Sequence, residues 1–380
     1  MKKKLLFVAV VLAFMAAGVW GVYYFRHDPP VETKFVQNVK RNDEDTANNE
    51  SDDEVEDKLA PSTVDVNKPG NYASLKNPRH VYQTFNNCGP ATLSMMLSWY
   101  GKNVSQKELG DKMRPYQVAS GDNDDKTIFT YEFVDWAKEY GMNSVGRVNG
   151  DIELLKTFTS NGIPVVVKTW LHPGEDIGHF RIIRGFNEDK QVIIQDDSYE
   201  GPNIKYSYYD FLSMWQPFNY SYMIVFPDSE RDLVEAIIGT EMDDNVNWSN
   251  ALERARRERE IDPESAYPVF NMSTSYYHLG EYEKSVEEFE KVEVKLPRRM
   301  LWYQLEPVRA YQKLGEYDKV IEIADKILGN GNRAYSELYQ IKGEIYLERG
   351  DGGKAREMFA KALYYNKNFE PAKKALSKLN

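Results

Sequence analysis

Cysteine is almost missing from this chain: Cys88 is the only one in 380 residues. An intrachain disulfide is therefore excluded, and so is a cysteine-built metal cage. Histidine is scarce as well, with five in all, so any imidazole chemistry has few candidates. A basic stripe is lacking, since 48 Lys and Arg stand against 59 Asp and Glu for a formal net charge of −11. That balance leaves no footprint for nucleic acid. Long apolar runs are absent apart from one, and a mean hydropathy of −0.62 rules out a multi-span membrane protein. No Gly-rich loop ending in Gly-Lys-Ser/Thr occurs, so a nucleotide-phosphate cradle is not expected. The acidic run from Asp122 to Asp125 fails as a calcium loop, because Phe133 stands at the twelfth position where a bidentate acid belongs. Neither a cofactor nor a metal is expected.

The one apolar run, Leu5–Phe25, follows Lys2, Lys3 and Lys4 and precedes Arg26. As a helix it would span roughly 32 Å, enough for a bilayer. Its lysine bias puts the N-terminus inside and everything after it on the extracytoplasmic side. A cleaved signal sequence, cut near Ala16-Ala17-Gly18, is the rival reading for residues 1–25. The anchor is favoured because the apolar run continues past that point to Tyr23, Tyr24 and Phe25. Residues 26–75 follow as a disordered acidic linker: Pro29-Pro30, Pro61 and Pro69 punctuate it, and residues 41–58 hold nine acids and two bases. Such a composition buries too little surface to offset ordering entropy.

At the other end the sequence repeats. Tyr276, Tyr311 and Tyr346 recur at one spacing, as do Gly280, Gly315 and Gly350, then Lys284, Lys319 and Lys354, then Phe289, Ala324 and Phe359. Each copy reads as a helix ending near its Gly, followed by a second helix. Ahead of them, Trp248–Ile261 before Asp262-Pro263 reads as the second helix of a degraded extra unit. Stacked helix pairs bury apolar faces that no single pair can bury and leave a concave surface for a peptide or protein. The pattern resembles the tetratricopeptide repeat, and residues 229–380 are assigned to it.

Residues 76–228 carry the chemistry. Gln83-Thr84-Phe85-Asn86-Asn87-Cys88-Gly89-Pro90 leads into the apolar stretch Leu93–Tyr100, which stops at Gly101. Pro90 suits a first helical turn and Gly101 a helix end. Cys88 thus sits at a helix N-terminus, where unpaired N–H groups favour the thiolate, the nucleophilic form. Its base must be an imidazole. His27 abuts the apolar run, His278 belongs to a repeat, His80 lies in a Pro-flanked lead-in and His172 in a Pro-Gly loop. His179 instead opens the strand-like run Phe180–Phe186, with Ile163–Trp170 as its neighbour. One hairpin later come Asp196-Asp197, either of which would complete a Cys/His/Asp relay.

In this order the motifs Asn-Cys-Gly-Pro-Ala, Gly-His-Phe and Asp-Asp-Ser-Tyr-Glu-Gly-Pro resemble the papain-like cysteine peptidases of family thirty-nine, the bacteriocin-processing peptidases and their stand-alone relatives. The resemblance covers about residues 78–226. It implies an α+β papain-like domain with Cys88 as nucleophile, His179 as base and Gln83 as side-chain donor to the oxyanion. Its Asp usually stands directly before a Pro or Ser, which points to Asp197 rather than Asp196. The expected protein is a membrane-anchored extracytoplasmic cysteine peptidase acting on a peptide or protein substrate, with the all-α repeats recruiting substrate or partner and no nucleic acid involved. A non-catalytic peptide-binding module, or an amide acyltransferase on the same fold, is the alternative. Expressed in a bacterium, the full chain is expected in the membrane fraction with Met1 or Lys2 at its N-terminus. Recovery of a soluble exported form beginning near Val19 would establish the cleaved signal instead.

Overall fold

The computed structural model describes residues 64–116, 118 and 128–379. The anchor or signal expected at 1–25 and most of the acidic linker lie outside these residues, and among the described residues no helix is long and apolar enough to cross a membrane.

The region that carries Cys88 and His179 is built on an antiparallel sheet: β1 (Tyr72–Ser74), β2 (Asn143–Arg147), β3 (Val165–Trp170), β4 (Gly178–Asn187), β5 (Val192–Asp197), β6 (Gly201–Ser207) and β7 (Tyr222–Phe226). Its order is β2-β7-β3-β4-β5-β6, with β1 on the end of β4 that β3 leaves free. Strands β3, β4 and β7 are buried almost throughout and are accordingly Val-, Ile- and Phe-rich. Helix α1 (Cys88–Trp99) covers one face, with α2 (Gln106–Met113) and α3 (Thr130–Glu139). Leu93, Met96, Phe133, Phe180 and Ile182 form the core there. Helices α4 (Ile152–Ser160) and α5 (Tyr208–Trp215) cover the other, where Phe158, Phe211 and Trp215 meet Ile183, Phe186 and Ile193.

Strand β1 corrects the linker, which was expected to continue to residue 75. Tyr72, Ala73 and Ser74 pair with Asn187, Phe186 and Gly185. The segment is held by main-chain bonds rather than apolar burial, so composition gives no sign of it. Gly185 makes room: a Cβ there would meet the Ala73 carbonyl oxygen at 2.3 Å. Arg184 closes the arrangement. Its Nε donates to Asp196 Oδ1 (2.9 Å) and its Nη1 to Leu75 O (2.6 Å) and Ser74 Oγ (3.0 Å), while Nη2 donates to Asn203 on β6.

Beyond the sheet, α6 (Arg231–Ile238) and α7 (Asp244–Ile261) lead into three helix pairs. These are α8 (Ala266–His278) with α9 (Tyr282–Val292), α11 (Glu306–Lys313) with α12 (Tyr317–Gly329), and α13 (Ser336–Glu348) with α14 (Gly352–Tyr365). A short α10 (Met300–Tyr303) precedes the second pair and α15 (Glu370–Ser377) follows the third. The recurring glycines have one cause: Gly280, Gly315 and Gly350 adopt φ of 79°, 76° and 75°, which ends the first helix of each pair. Phe289, Ala324 and Phe359 are fully buried between pairs. The division near residue 228 separates elements along the chain but not cores, because Trp170, Met214 and Phe218 share one cluster with Trp302, Tyr303 and Tyr311.

Removing the Arg184 side chain leaves the buried Asp196 carboxylate with only the Asn77 amide and the Asn203 backbone N–H. Arg184→Met is expected to lower unfolding stability in urea by about 3 kcal/mol or more. A loss below about 1 kcal/mol would mean that the pair does not hold β1, β5 and β6 together.

Candidate active site

Cys88 is the first residue of α1, half-buried and free. A turn closed by Asn87 N donating to Thr84 O (3.0 Å) delivers it, with Asn86 at φ 53°. The residue after it must be small: a Cβ on Gly89 would meet Ile128 Cδ1 at 2.4 Å. Cys88, His179 and Gln83 all line one cavity of about 280 Å³, with Tyr199 also on its wall.

Geometry brings the imidazole to its carboxylate. Arg181 on β4 lies opposite Asp197 on β5, so His179, two residues earlier on the same side of β4, is the diagonal neighbour of Asp197. His179 Nε2 donates to Asp197 Oδ1 at 3.0 Å, both side chains being buried. Nδ1 is then the ring nitrogen left to serve the Cys88 side chain, which lines the same cavity. Asp197 Oδ1 accepts in addition from the backbone N–H groups of Tyr199 (2.6 Å) and Glu200 (2.9 Å). Arg181 Nε lies 3.3 Å from Oδ2, near enough for charge attraction though not aligned as a hydrogen bond. Burial alone would lower the His179 pKa, but the Asp197 charge and hydrogen bond, helped by Cys88, push it up to about 9. Burial would raise the Asp197 pKa, and the imidazolium with Arg181 instead holds it well below the usual carboxylate range.

Asp196, the other acid of the pair, points to Arg184 and Asn77 rather than to His179. Of the remaining histidines, His80 stands edge-on to Tyr82 with neither ring nitrogen bonded, and burial lowers its pKa against the pull of Asp196 and Asp197. His172 is held between Glu175 and Glu200, each at 3.0 Å. His278 lies in the repeats, stacked on Trp248.

Gln83 is tied to the far side of the site. Its N–H donates to Ser198 O (2.7 Å), and its Oε1 accepts from the Ser198 hydroxyl (2.8 Å). With the amide oxygen held, the amide NH₂ is the part that can serve the cavity. Ser198 and Arg181 were not singled out from the sequence. Arg181 carried a signal, being a charge on the inward-facing side of an apolar strand two residues after His179. Ser198 served only to mark Asp197, and nothing in the sequence signalled its bond to Gln83.

Lys168 on β3 was missed as well. It is buried among the rings of Phe129, Phe180, Phe218 and Tyr303, 5.4–5.7 Å from each centroid, and its Nζ donates to Ile128 O (3.2 Å). Burial lowers its pKa to about 7, with the Cys88 charge opposing and Arg114 assisting.

Residues 71–223 match the family model described as the Peptidase_C39 like family, and residues 336–378 match the tetratricopeptide repeat. Residues 71–223 are thus a C39-like peptidase region, with a tetratricopeptide repeat at 336–378, as the sequence motifs led us to expect. No curated protein matches it. Similar solved structures include a protein described as a C39-like peptidase from Bacillus anthracis, 16% identical, covering 40% of this chain and 96% of that one at a TM-score of 0.35. The peptidase domain of Streptococcus ComA, a bi-functional ABC transporter involved in quorum sensing, is 20% identical over 39% of this chain and 97% of its own, at 0.30. For the repeats, TTC0263, a TPR protein of Thermus thermophilus, is 18% identical over 35% of this chain and 73% of its own, at 0.30.

The two shifted groups set a pH dependence. A raised His179 pKa adds stability that is fully present below the unfolded value of 6.5 and is lost as pH rises through about 9. The depressed Asp197 pKa adds stability that is present above 3.8 and is lost as pH falls through its lower folded value. Between pH 6.5 and 9 the Tm of the full chain is expected to fall, by the equivalent of about 3 kcal/mol at most. In Asp197→Asn that fall should largely disappear. Equal slopes for both proteins in thermal melts would contradict the coupling.

Proposed function

We propose that this protein is a cysteine peptidase that cleaves peptide bonds through an acyl-enzyme on Cys88. The observation that carries this reading is the His179 imidazole, hydrogen-bonded to buried Asp197, on the wall of a cavity that it shares with Cys88 and Gln83. A His179 pKa of about 9 favours an imidazolium at neutral pH, which stabilises the Cys88 thiolate beside it.

In this mechanism the thiolate attacks the scissile carbonyl carbon. The Gln83 amide and the Cys88 backbone N–H at the start of α1 donate to the developing oxyanion. His179 then gives its proton to the leaving amine, the C–N bond breaks, and the acyl group stays on sulfur as a thioester. Water, deprotonated by His179, attacks the thioester and releases the acid, restoring the pair. Asp197 holds the tautomer and stabilises the imidazolium throughout.

The repeats recruit a protein substrate or partner, in keeping with the stacking logic of such arrays. Residues 1–25 anchor the protein, with its folded region on the extracytoplasmic side, as the lysine bias and apolar run of that segment favour. The sequence, and not the structure, supports that placement.

Hydrolysis of a mixed peptide library by the full chain, read by mass spectrometry, tests the mechanism. Cys88→Ala is expected to abolish cleavage, and Asp197→Asn to lower turnover by about 10²–10⁴-fold. Gln83→Ala should cost about 10²–10³-fold. Cleavage that survives Cys88→Ala would refute the proposal.

A further inference from the structure

Arg114 follows α2 and turns its side chain into the wall of the cavity that holds Cys88 and His179. It is 5% exposed, yet among the described residues neither Nη1 nor Nη2 has a hydrogen-bond acceptor. A guanidinium placed for structure alone normally meets a carboxylate in a two-bond fork at 2.7–2.9 Å. Among the described residues, the carboxylate paired with it, Glu132, has its Oε2 3.9 Å away, and that oxygen already accepts from the Phe129 N–H at 2.7 Å. A buried cation left in this state is costly unless something else completes it. Buried Lys168, whose pKa is lowered to about 7, feels both the Cys88 charge and the Arg114 charge. Together with the α1 N-terminus and His179, Arg114 makes this cavity wall electropositive: no carboxylate is among its described lining residues, and Glu132 stands 3.9 Å behind the guanidinium.

We propose that Arg114 is the carboxylate-binding residue of this cavity, so that the preferred substrate presents a carboxylate beside the scissile bond. That carboxylate is either an Asp or Glu side chain or a free C-terminus, and either would fill the fork that no acceptor among the described residues fills. This inference rests on reading the cavity as a peptidase site, but the charge preference can be measured without turnover.

The test uses the full chain and two alkylating reagents of similar size, iodoacetate and iodoacetamide, with the rate at Cys88 read by mass spectrometry. Their rate ratio in wild type is expected to exceed that of free cysteine by at least tenfold. In Arg114→Met the ratio should fall about tenfold, and Arg114→Lys should keep most of it. His179 attracts iodoacetate in every one of these proteins, so the change belongs to Arg114. An equal ratio in wild type and folded Arg114→Met overturns the proposal.

Should that variant fail to fold, wild type alone decides. N-acetylglutamate α-amide should slow alkylation by iodoacetamide at concentrations where N-acetylglutamine α-amide does not, if a side-chain carboxylate is recognised. N-acetylalanine should do so if a C-terminal carboxylate is. No excess protection by either acid overturns the proposal. Peptide cleavage separates the two readings: an Arg114-dependent ratio without any cleavage removes the peptidase and keeps the anion site, and cleavage without charge preference does the reverse.

Discussion

A buried imidazole held against a buried carboxylate fixes most of what surrounds it. The Asp197–His179 contact requires β4 and β5 to be in register with Arg181 opposite Asp197. A slip of one residue would turn the carboxylate to the other face and bring Asp196, which is needed by Arg184, into its place. Two backbone N–H groups from the turn after β5 and the nearby Arg181 keep Asp197 ionised, and this in turn keeps the imidazole protonated. The same turn supplies Ser198, which holds Gln83. One strand end thus orients His179 and Gln83 together.

The repeats are part of this arrangement rather than an appendage. Gly178, directly before His179, is covered by Tyr303, and a Cβ there would meet the ring at 2.7 Å. Trp170, which pairs with Gly178 across β3 and β4, packs edge-on to the same tyrosine at 5.6 Å. Arg299 Nη1 donates to Asp176 (2.7 Å) in the loop that leads to β4. A change in how the helices pack would therefore be felt at the strand that carries His179, because close-packed contacts transmit displacement.

Much of this was legible in the sequence, for reasons that differ by element. The repeat was visible because one backbone requirement, a left-handed residue at each turn, recurs with the same side chain at Gly280, Gly315 and Gly350. Helix α1 was marked by Pro90 and Gly101 at its two ends, and the β4–β5 hairpin by alternating apolar residues. Composition hid β1, whose three residues are held by backbone bonds. Pattern alone did not choose between Asp196 and Asp197, since both lie in β5 and are fully buried, and their partners Arg184 and His179 are set by pairing across strands. Lys168 and Arg114 were illegible because a charged residue reads as surface until the tertiary fold encloses it.

The central claim is the charge state of His179, and nitrogen NMR of the imidazole in the folded full chain measures it directly. Wild type is expected to keep a protonated His179 ring to about pH 9. A ring that is neutral at pH 7.5 with Asp197 intact would contradict the account.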